Sequence, residues 1–552
     1  MIRRFLRLYS IKRNTHLILE DLQSIKFNKD DLKAIDSALK LVTVKQTTSS
    51  SKLSRTRAKQ EYIDRKLEVI RNIFPGEPDS EYVSMEPPND LKNPYFDVYS
   101  KTVLDEDGNI KFAGTERLSV TKLLTKRWCE LNQMYDIYSR LPIFEHRQLK
   151  VGKVEHEKLE KAIHGVAPAV EDFMETYEWE LAEDDTHQLA DNWFQCIHRL
   201  LTLFSSGEAR EILCHGYIDS RSCQLIEGQV KDDRDILISG IIDHVVLFHV
   251  NNNKPKSLEP ALREKNGFDL LKIISFLGDT IPQAEDLKIA VGDVKTRPRA
   301  IVPNHASVVR ASKLQVMYYR FFLENLGKDP EIAYQKLILN ATRRDINIDT
   351  PINISNLIYF MEIDPAIRPD LERIMLGEPI GFEPFDRYYQ SELENGDEDN
   401  IAMPSEIGEA NEYNLSQYAD LTMEESTLEK YGTFYQKWAN PPTLRYFAAR
   451  LAQLYGTLLP LLSNDLMIEY YTGDYKFYTD KFQYDSALLK QECHSSSQFW
   501  FGKRSVEPIV PTKKNLVTFC KYCDFHDVCG WRANGNKMFK QLGPTLEEIS
   551  KL

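Results

Sequence analysis

Apolar positions along this chain follow two rhythms. The stretches Ile236-Leu-Ile-Ser-Gly-Ile-Ile-Asp243 and Leu287-Lys-Ile-Ala-Val-Gly-Asp293-Val-Lys295 are short, apolar and rich in β-branched residues, and each reaches an acid at or near its end. They predict strands, with Val245–Val250 continuing the first and the segment around Glu211 to Ile218 supplying another. Elsewhere apolar residues recur at helical spacing: from Val120 to Glu130, around His156, on to about Phe204, over Phe268–Leu277, from Ser307 to Leu326, and from Thr443 to Leu462. Residues 43–60, rich in Thr, Ser, Lys and Arg, read as a linker, and 251–286 as an insertion. Strands set among helices make this an α/β chain, and it contains no internal repeat.

The second strand turns pattern into chemistry. Side chains alternate along a strand, so Asp293 and Lys295 share a face. Brought together, Asp243 and Asp293 could hold a hard divalent cation such as magnesium. A lysine beside them could orient a water and offset phosphate charge, as metal-assisted phosphodiester hydrolysis requires. Either acid alone would read as an ordinary strand end. A lone His156 among Glu155, Glu157 and Glu160 would equally fit a solvated face. On the 307–326 helix, Gln315 and Tyr319 are four apart and share a face, with Arg310 and Lys313 nearby.

Charge and composition then narrow the picture. The chain has 552 residues, room for roughly two to four domains. No run of eighteen apolar residues occurs, so no membrane-spanning helix is expected. A net charge of −13 argues against nucleic acid until it is located: Glu383 to Glu429 holds fourteen acids and one base, Arg387. The remainder is near neutral and can hold a basic groove. That acidic stretch has few helix or strand signals and reads as a flexible, solvated insertion. Residues 1–19 carry Arg3, Arg4, Arg7, Lys12 and Arg13 with no acid, and Phe5, Leu6 and Leu8 lie among them. Such a start resembles a mitochondrial presequence, with a DNA-touching basic arm as the alternative.

Eight cysteines are too few for a disulfide scaffold of this size, but Cys520-x-x-Cys523 followed by Cys529 can converge on one metal centre. A fourth ligand could be Cys129, Cys196, Cys214, Cys223, Cys493 or His526, and zinc and an iron–sulfur cluster both suit the spacing.

Together these motifs resemble the RecB-type nucleases of the PD-(D/E)xK superfamily, and within it the exonuclease V family in its mitochondrial fungal form. The resemblance covers roughly 119–532. It rests, in order, on Gly152-x-x-x-His156-x-x-Leu159-Glu160, Arg210-Glu211, Gly240-Ile-Ile-Asp243, Asp293-Val-Lys295-Thr-Arg297 and Gln315-x-x-x-Tyr319. It implies a restriction-endonuclease-like α/β core with large helical additions. His156, Glu211, Asp243 and Asp293 would hold magnesium. Asp243, Asp293, Lys295, Gln315 and Tyr319 would be catalytic, and Arg297, Arg310 and Lys313 would meet substrate. It also implies a 4Fe–4S cluster on Cys129, Cys520, Cys523 and Cys529, joining the two ends of the chain. The implied activity is single-stranded DNA hydrolysis from a 5′ end to short oligonucleotides, in mitochondrial DNA maintenance in the matrix, by a monomer.

The division expected is presequence 1–19, N-terminal region 20–118, nuclease core 119–382, acidic insertion 383–429 and C-terminal cluster region 430–552. Two departures stand out: Asp293 where relatives often have Glu, and a long gap between Asp243 and Asp293. An ATP motor is not expected, since Gly502-Lys503-Arg504 lacks the rest of a phosphate-binding loop. The competing readings are a non-catalytic DNA-binding or scaffold protein and a zinc-bound structural module.

Overall fold

A computed structural model describes residues 50–537, apart from 173–180, 263–268, 395–428 and several shorter breaks. The expected presequence lies outside these residues. Two compact units are distinguished, Met1–Glu68 and Val69–Leu552. Helix α1 (Ser50–Ile73) opens the described chain. The linker expected over 43–60 is therefore helical from Ser50 onward. Good helix formers and pairs such as Arg57–Glu61, 3.1 Å apart at i,i+4, favour that state.

In the second unit, after a short helical turn at Pro94–Val98, comes a hairpin of β1 (Ser100–Leu104) and β2 (Ile110–Thr115), then β3 (Leu118–Ser119). The helix expected over 120–130 is instead two 3-10 turns, Val120–Leu123 and Thr125–Arg127. Cys129 has extended backbone as the N-cap residue, so α2 (Glu130–Ser139) starts only after it. Helices α3 (Arg147–His164) and α4 (Asp185–Ser206) follow, the latter capped by Asp184, whose side chain accepts from Thr186 N–H and His187 N–H.

The strands form two main sheets. β4 (Glu208–Ala209), β5 (Ile212–Asp219), β6 (Gln224–Leu225), β7 (Ile236–Ile242) and β8 (His244–His249) precede α5 (Leu270–Thr280) and β9 (Leu287–Thr296). One sheet has the order β3-β7-β5-β6. The other contains β4, β8 and β9 and runs on through β10 (Leu462–Thr472) to β11 (Tyr475–Gln483). The strand expected to run through Asp243 into Val245–Val250 is thus two strands in different sheets. Asp243 is the single residue between them.

Helix α6 (Ala306–Gly327) packs on β5, β9 and β10 and buries Val316, Phe321, Phe322, Leu323 and Leu326. Full burial of such side chains contributes about 1.5–3 kcal/mol each. Helices α7 (Pro330–Thr342), α8 (Ile354–Ile363), α9 (Arg368–Leu376) and α10 (Glu383–Glu394) follow, and with them α11 (Leu444–Leu458). α11 is apolar nearly all round, as a helix enclosed by others must be. Its one fully buried cation, Arg450, forks onto both oxygens of Asp370 at 2.6 Å. The first twelve residues of the acidic stretch form α10, contrary to the featureless insertion expected there; 395–428 lie outside the described residues.

The boundary drawn at 430 falls inside one sheet. β10 pairs in parallel with β9, setting Ile468 opposite Asp293 and Tyr470 opposite Lys295. Helix α12 (Ser486–Trp500) then leads to the cysteine-rich tail. No helix among the described residues is long and apolar enough to cross a membrane.

Candidate active site

Strand β9 presents Asp293 and Lys295 side by side. Asp293 is fully buried. Lys295 Nζ lies 2.7 Å from Asp293 Oδ2 and donates to Gln315 Oε1 at 3.0 Å, while Gln315 Nε2 donates to the Tyr319 hydroxyl at 2.7 Å. The lysine contact is ionic, for neither Asp293 oxygen receives a directed hydrogen bond from the protein. With Lys295 at one oxygen only, the other is left buried and unfilled, which is costly unless a second cation completes it.

Asp243 reaches the same place from the junction of the two sheets. Val294 N–H donates to its Oδ2 at 2.8 Å, which ties the junction to β9. Its Oδ1 lies 3.9 Å from His156 Nδ1, and Glu211 Oε1 lies 3.7 Å from the same nitrogen. Among the described residues, the one trio of His, Cys, Asp or Glu whose ligand atoms all lie within 4.8 Å of one another is His156, Glu211 and Asp243. Two carboxylates and an imidazole, with the Asp293 carboxylate adjoining, form a donor set suited to a hard divalent ion.

Local backbone explains how these groups meet. Glu211 has φ 55°, a left-handed conformation unusual for a residue with a Cβ. Such strain costs on the order of 1 kcal/mol and persists where neighbours hold it. Here Arg199 does so, donating to the Glu211 carbonyl at 3.0 Å and pairing with Glu160 on α3. The Arg210 N–H also donates to His164 Nε2 at 2.9 Å, and burial keeps that imidazole neutral, its pKa pushed down to about 3. On α3, a Cβ at Gly152 would stand 3.1 Å from Thr296 Oγ1, so glycine there lets the His156 helix lie close against β9.

The electrostatics follow from burial and crowding. Burial raises the Asp243 carboxyl above the usual carboxylate range, with Lys295 and His156 opposing. Burial raises Asp293 too, opposed by Lys295, and the neighbouring Asp243 adds to the rise. The facing Glu211 raises His156 against the effect of burial, with Asp243 adding to the rise. Burial and both aspartates hold the Tyr319 phenol far above its usual value, so it remains a neutral hydroxyl.

These groups line a cavity of about 1020 Å³, whose walls also carry Arg117, Lys122, Arg127, Arg297 and Arg344. Arg297 is among the residues expected to meet substrate; the other four were not singled out from the sequence. Only Lys126-Arg127 beside Trp128 gave any hint, and spacing cannot tell where an arginine in a 3-10 turn points. Arg199 was equally invisible, being a helix residue 12 positions from the Glu211 backbone it holds. Arg310 and Lys313 do not line this cavity. Arg310 pairs with Glu492, and Lys313 with Asp480 at 3.1 Å.

Gly240 gives a direct check of this packing. A Cβ there would meet Tyr319 Cε1 at 2.5 Å. Gly240→Ala is expected to cost about 1–3 kcal/mol of stability in denaturant unfolding through overpacking. It should also cut turnover by displacing the Tyr319–Gln315–Lys295 chain. A fully active, equally stable variant would show that this contact positions nothing.

Cys129, Cys520, Cys523 and Cys529 line a second cavity of about 740 Å³ with Trp128, Phe519 and His526. The other four cysteines are buried thiols that do not line it. Ile509 N–H points at Cys129 Sγ at 3.4 Å, and Asn132 Nδ2 at Cys523 Sγ at 3.2 Å. Burial pushes the Cys520 and Cys523 thiols up to about 12, and Cys129 adds to the rise in both. Beside this cavity, buried Glu130 accepts both Arg504 amino groups, at 2.8 and 2.6 Å, and the Glu507 N–H at 2.8 Å. Residues 374 and 377 positions apart are thereby joined by protein contacts alone.

Comparison with known proteins bears on all of this. Residues 110–532 match the family model described as "Exonuclease V - a 5' deoxyribonuclease". The chain is similar to proteins named "Exonuclease V, mitochondrial" from three fungi. It is 42% identical to that of Eremothecium gossypii over 495 residues, covering 89% of this chain and 91% of the relative. For Vanderwaltozyma polyspora the identity is 40% over 512 residues, covering 91% and 89%. For Candida glabrata it is 36% over 529 residues, covering 93% and 96%.

Proposed function

The chain belongs to the exonuclease V family, and on that premise we propose that it is a magnesium-dependent exonuclease of single-stranded DNA working from the 5′ end. It is a deoxyribonuclease by family and mitochondrial by its relatives. Magnesium, strand preference, product length and a role in mitochondrial DNA maintenance are parts of our reading. One observation carries it: a fully buried Asp293 whose one close cation is Lys295, next to the His156–Glu211–Asp243 trio, at the wall of a basic cavity. Two sheets meeting at Asp243 and an Asp-x-Lys strand fit a PD-(D/E)xK core.

His156, Glu211, Asp243 and Asp293 would hold the metal, which when bound supplies Lewis-acid activation of water and neutralises phosphate charge. Lys295 stands between Asp293 and Gln315, so its ammonium is aimed where an attacking water would lie. Tyr319, kept as a neutral hydroxyl, fixes the Gln315 amide and through it the lysine. The surrounding arginines attract the backbone. A cavity of about 1020 Å³ is in the size class of a single-ligand site, which favours one strand over a duplex.

The four cysteines fit a 4Fe–4S cluster. They share one cavity and receive N–H donors at sulfur. No three of the described thiols reach the 4.8 Å grouping of the acid–histidine trio. Four thiolates on one zinc would lie only about 3.8 Å apart, given Zn–S bonds of about 2.3 Å.

The test is digestion of single strands blocked at one end by a bulky group. A 5′ block and a closed circle should both resist, and a 3′ block should not matter. Cutting that ignores a 5′ block, or equal cutting of circles, would overturn entry from a 5′ end while leaving the metal site intact.

A further inference from the structure

The three residues before α2 border two cavities. Cys129 lines the cysteine cavity, and Trp128 is 51% exposed with its ring edge-to-face on Phe519 at 5.0 Å. Arg127 lines the cavity that holds Asp293, with its guanidinium 6.0 Å from the Trp128 ring centre. It ends a 3-10 turn whose backbone is closed by Arg127 N–H donating to Leu124 O at 3.0 Å.

Its guanidinium lies near the Trp128 ring and pairs with no anion among the described residues. Nε is buried and without an acceptor, and no carboxylate among the described residues lies within ion-pair distance. The charged groups acting on it most strongly are Asp293 and Arg297. Arg297 repeats the pattern: it lines the same cavity, its Nε is buried and unpaired, and its guanidinium sits 5.9 Å from the Tyr470 ring centre. Two arginines that cannot lose their charge thus face one space with no protein anion assigned to either. Other part-buried arginines do have close ion pairs, as Arg504 with Glu130 and Arg445 with Asp349, although the buried Arg210 also leaves its Nε without an acceptor. Leaving two unpaired beside the reactive carboxylates is costly unless an anion arrives. A phosphodiester presents oxygens that match a guanidinium fork.

We propose that Arg127 and Arg297 together form a seat for a backbone phosphate of the DNA strand beside the metal-binding carboxylates, with Arg127 delivered there by the cysteine-bearing segment. This rests on the nuclease reading above. It adds a binding residue that the Gln-x-x-x-Tyr and Asp-x-Lys motifs do not contain. It also gives the cysteine region a direct hand in the active site: displacing Cys129 moves a substrate contact two residues away.

Fluorescent oligothymidylate titrated in EDTA, where no cutting occurs, measures the contact. The full-length protein is compared with Arg127→Gln, Arg127→Lys and, as an ion-paired control outside the cavity, Arg310→Gln. Arg127→Gln should bind about tenfold or more weakly, the loss of a charge-assisted contact. Its dependence of log affinity on log salt should be shallower by about 0.7. Arg127→Lys should recover part of both, and Arg310→Gln should match the wild type. Affinity and salt slope unchanged in Arg127→Gln would overturn the seat while wild-type binding and cleavage kept the nuclease reading. Equal losses of affinity and melting temperature in the Gln and Lys variants would make Arg127 a structural support and overturn it too. A wild-type protein that neither bound nor cut single strands would instead sink the nuclease reading itself.

Discussion

Asp293→Ala is expected to lower magnesium-dependent turnover by about a thousandfold or more, with single-strand affinity in EDTA largely kept. The reasoning is local. Asp293 is the acid whose two oxygens have no protein donor, and it is the ionic partner of Lys295. Removing it takes away a metal ligand and frees the lysine, while the arginine walls that attract phosphate remain. The same residue sets a pH dependence whose sign can be worked out. Burial, with Asp243 adding, raises its carboxyl above the unfolded value. A protonated Asp293 therefore favours the folded state at low pH, and that stability is lost as pH rises through the raised value. Metal-free wild type should lose melting temperature between about pH 4 and 7 more steeply than Asp293→Asn. Magnesium should remove the difference, because it binds the ionised form and displaces the proton. Normal turnover in Asp293→Ala would dissolve the site as drawn. A pH profile that Asp293→Asn leaves unmoved would place the titrating group elsewhere.

The second large effect is expected from Cys520→Ala. Protein prepared without oxygen should be brown and contain iron and sulfide, and the variant should lose both. A link from Cys129 to Cys520 closes a loop of about 390 residues. By analogy with a long-range disulfide, opening it costs about 3–5 kcal/mol as an upper range. The Glu130–Arg504 fork survives the substitution, so the tail should stay partly attached. Thermal unfolding of the nuclease core, followed by far-ultraviolet circular dichroism, should nevertheless begin several degrees earlier. Stoichiometric zinc in protein made with ample iron would replace the cluster with a structural zinc site.

Much of the site could be read from the sequence because its parts lie on regular elements. Asp293 and Lys295 are two apart on a strand and Gln315 and Tyr319 four apart on a helix, and the structure puts all four in one chain of contacts. The same periodicity, followed further, separates Arg310 and Lys313 from them. At about 100° per residue they lie about 140° and 160° round the helix from Gln315, facing Glu492 and Asp480. Sheet membership was harder. The run through Asp243 is locally one strand, and only the Val294–Asp243 bond and the partner strands show that it changes sheets. The β10–β11 hairpin carried a local signal, Gly473-Asp474 between alternating segments, with Gly473 at φ 56°. Its place beside β9 did not, because a parallel partner so distant in sequence has no local signature. The unpaired arginines are legible only in three dimensions, where what matters is which acids fail to reach them.

That parallel pairing also dictates an order of assembly. β9 ends at Thr296 and its partner β10 begins at Leu462, so the strand bearing Asp293 keeps one open edge while everything between is made. An open edge of apolar β-branched residues invites pairing with other chains. Contacts so far apart in sequence also form slowly. A mitochondrial protein threaded into its compartment amino end first would expose that edge again until about the last sixth of the chain emerged. The nuclease would then stay unassembled in transit, and a chain cut short before Leu462 would aggregate instead of yielding a smaller working enzyme.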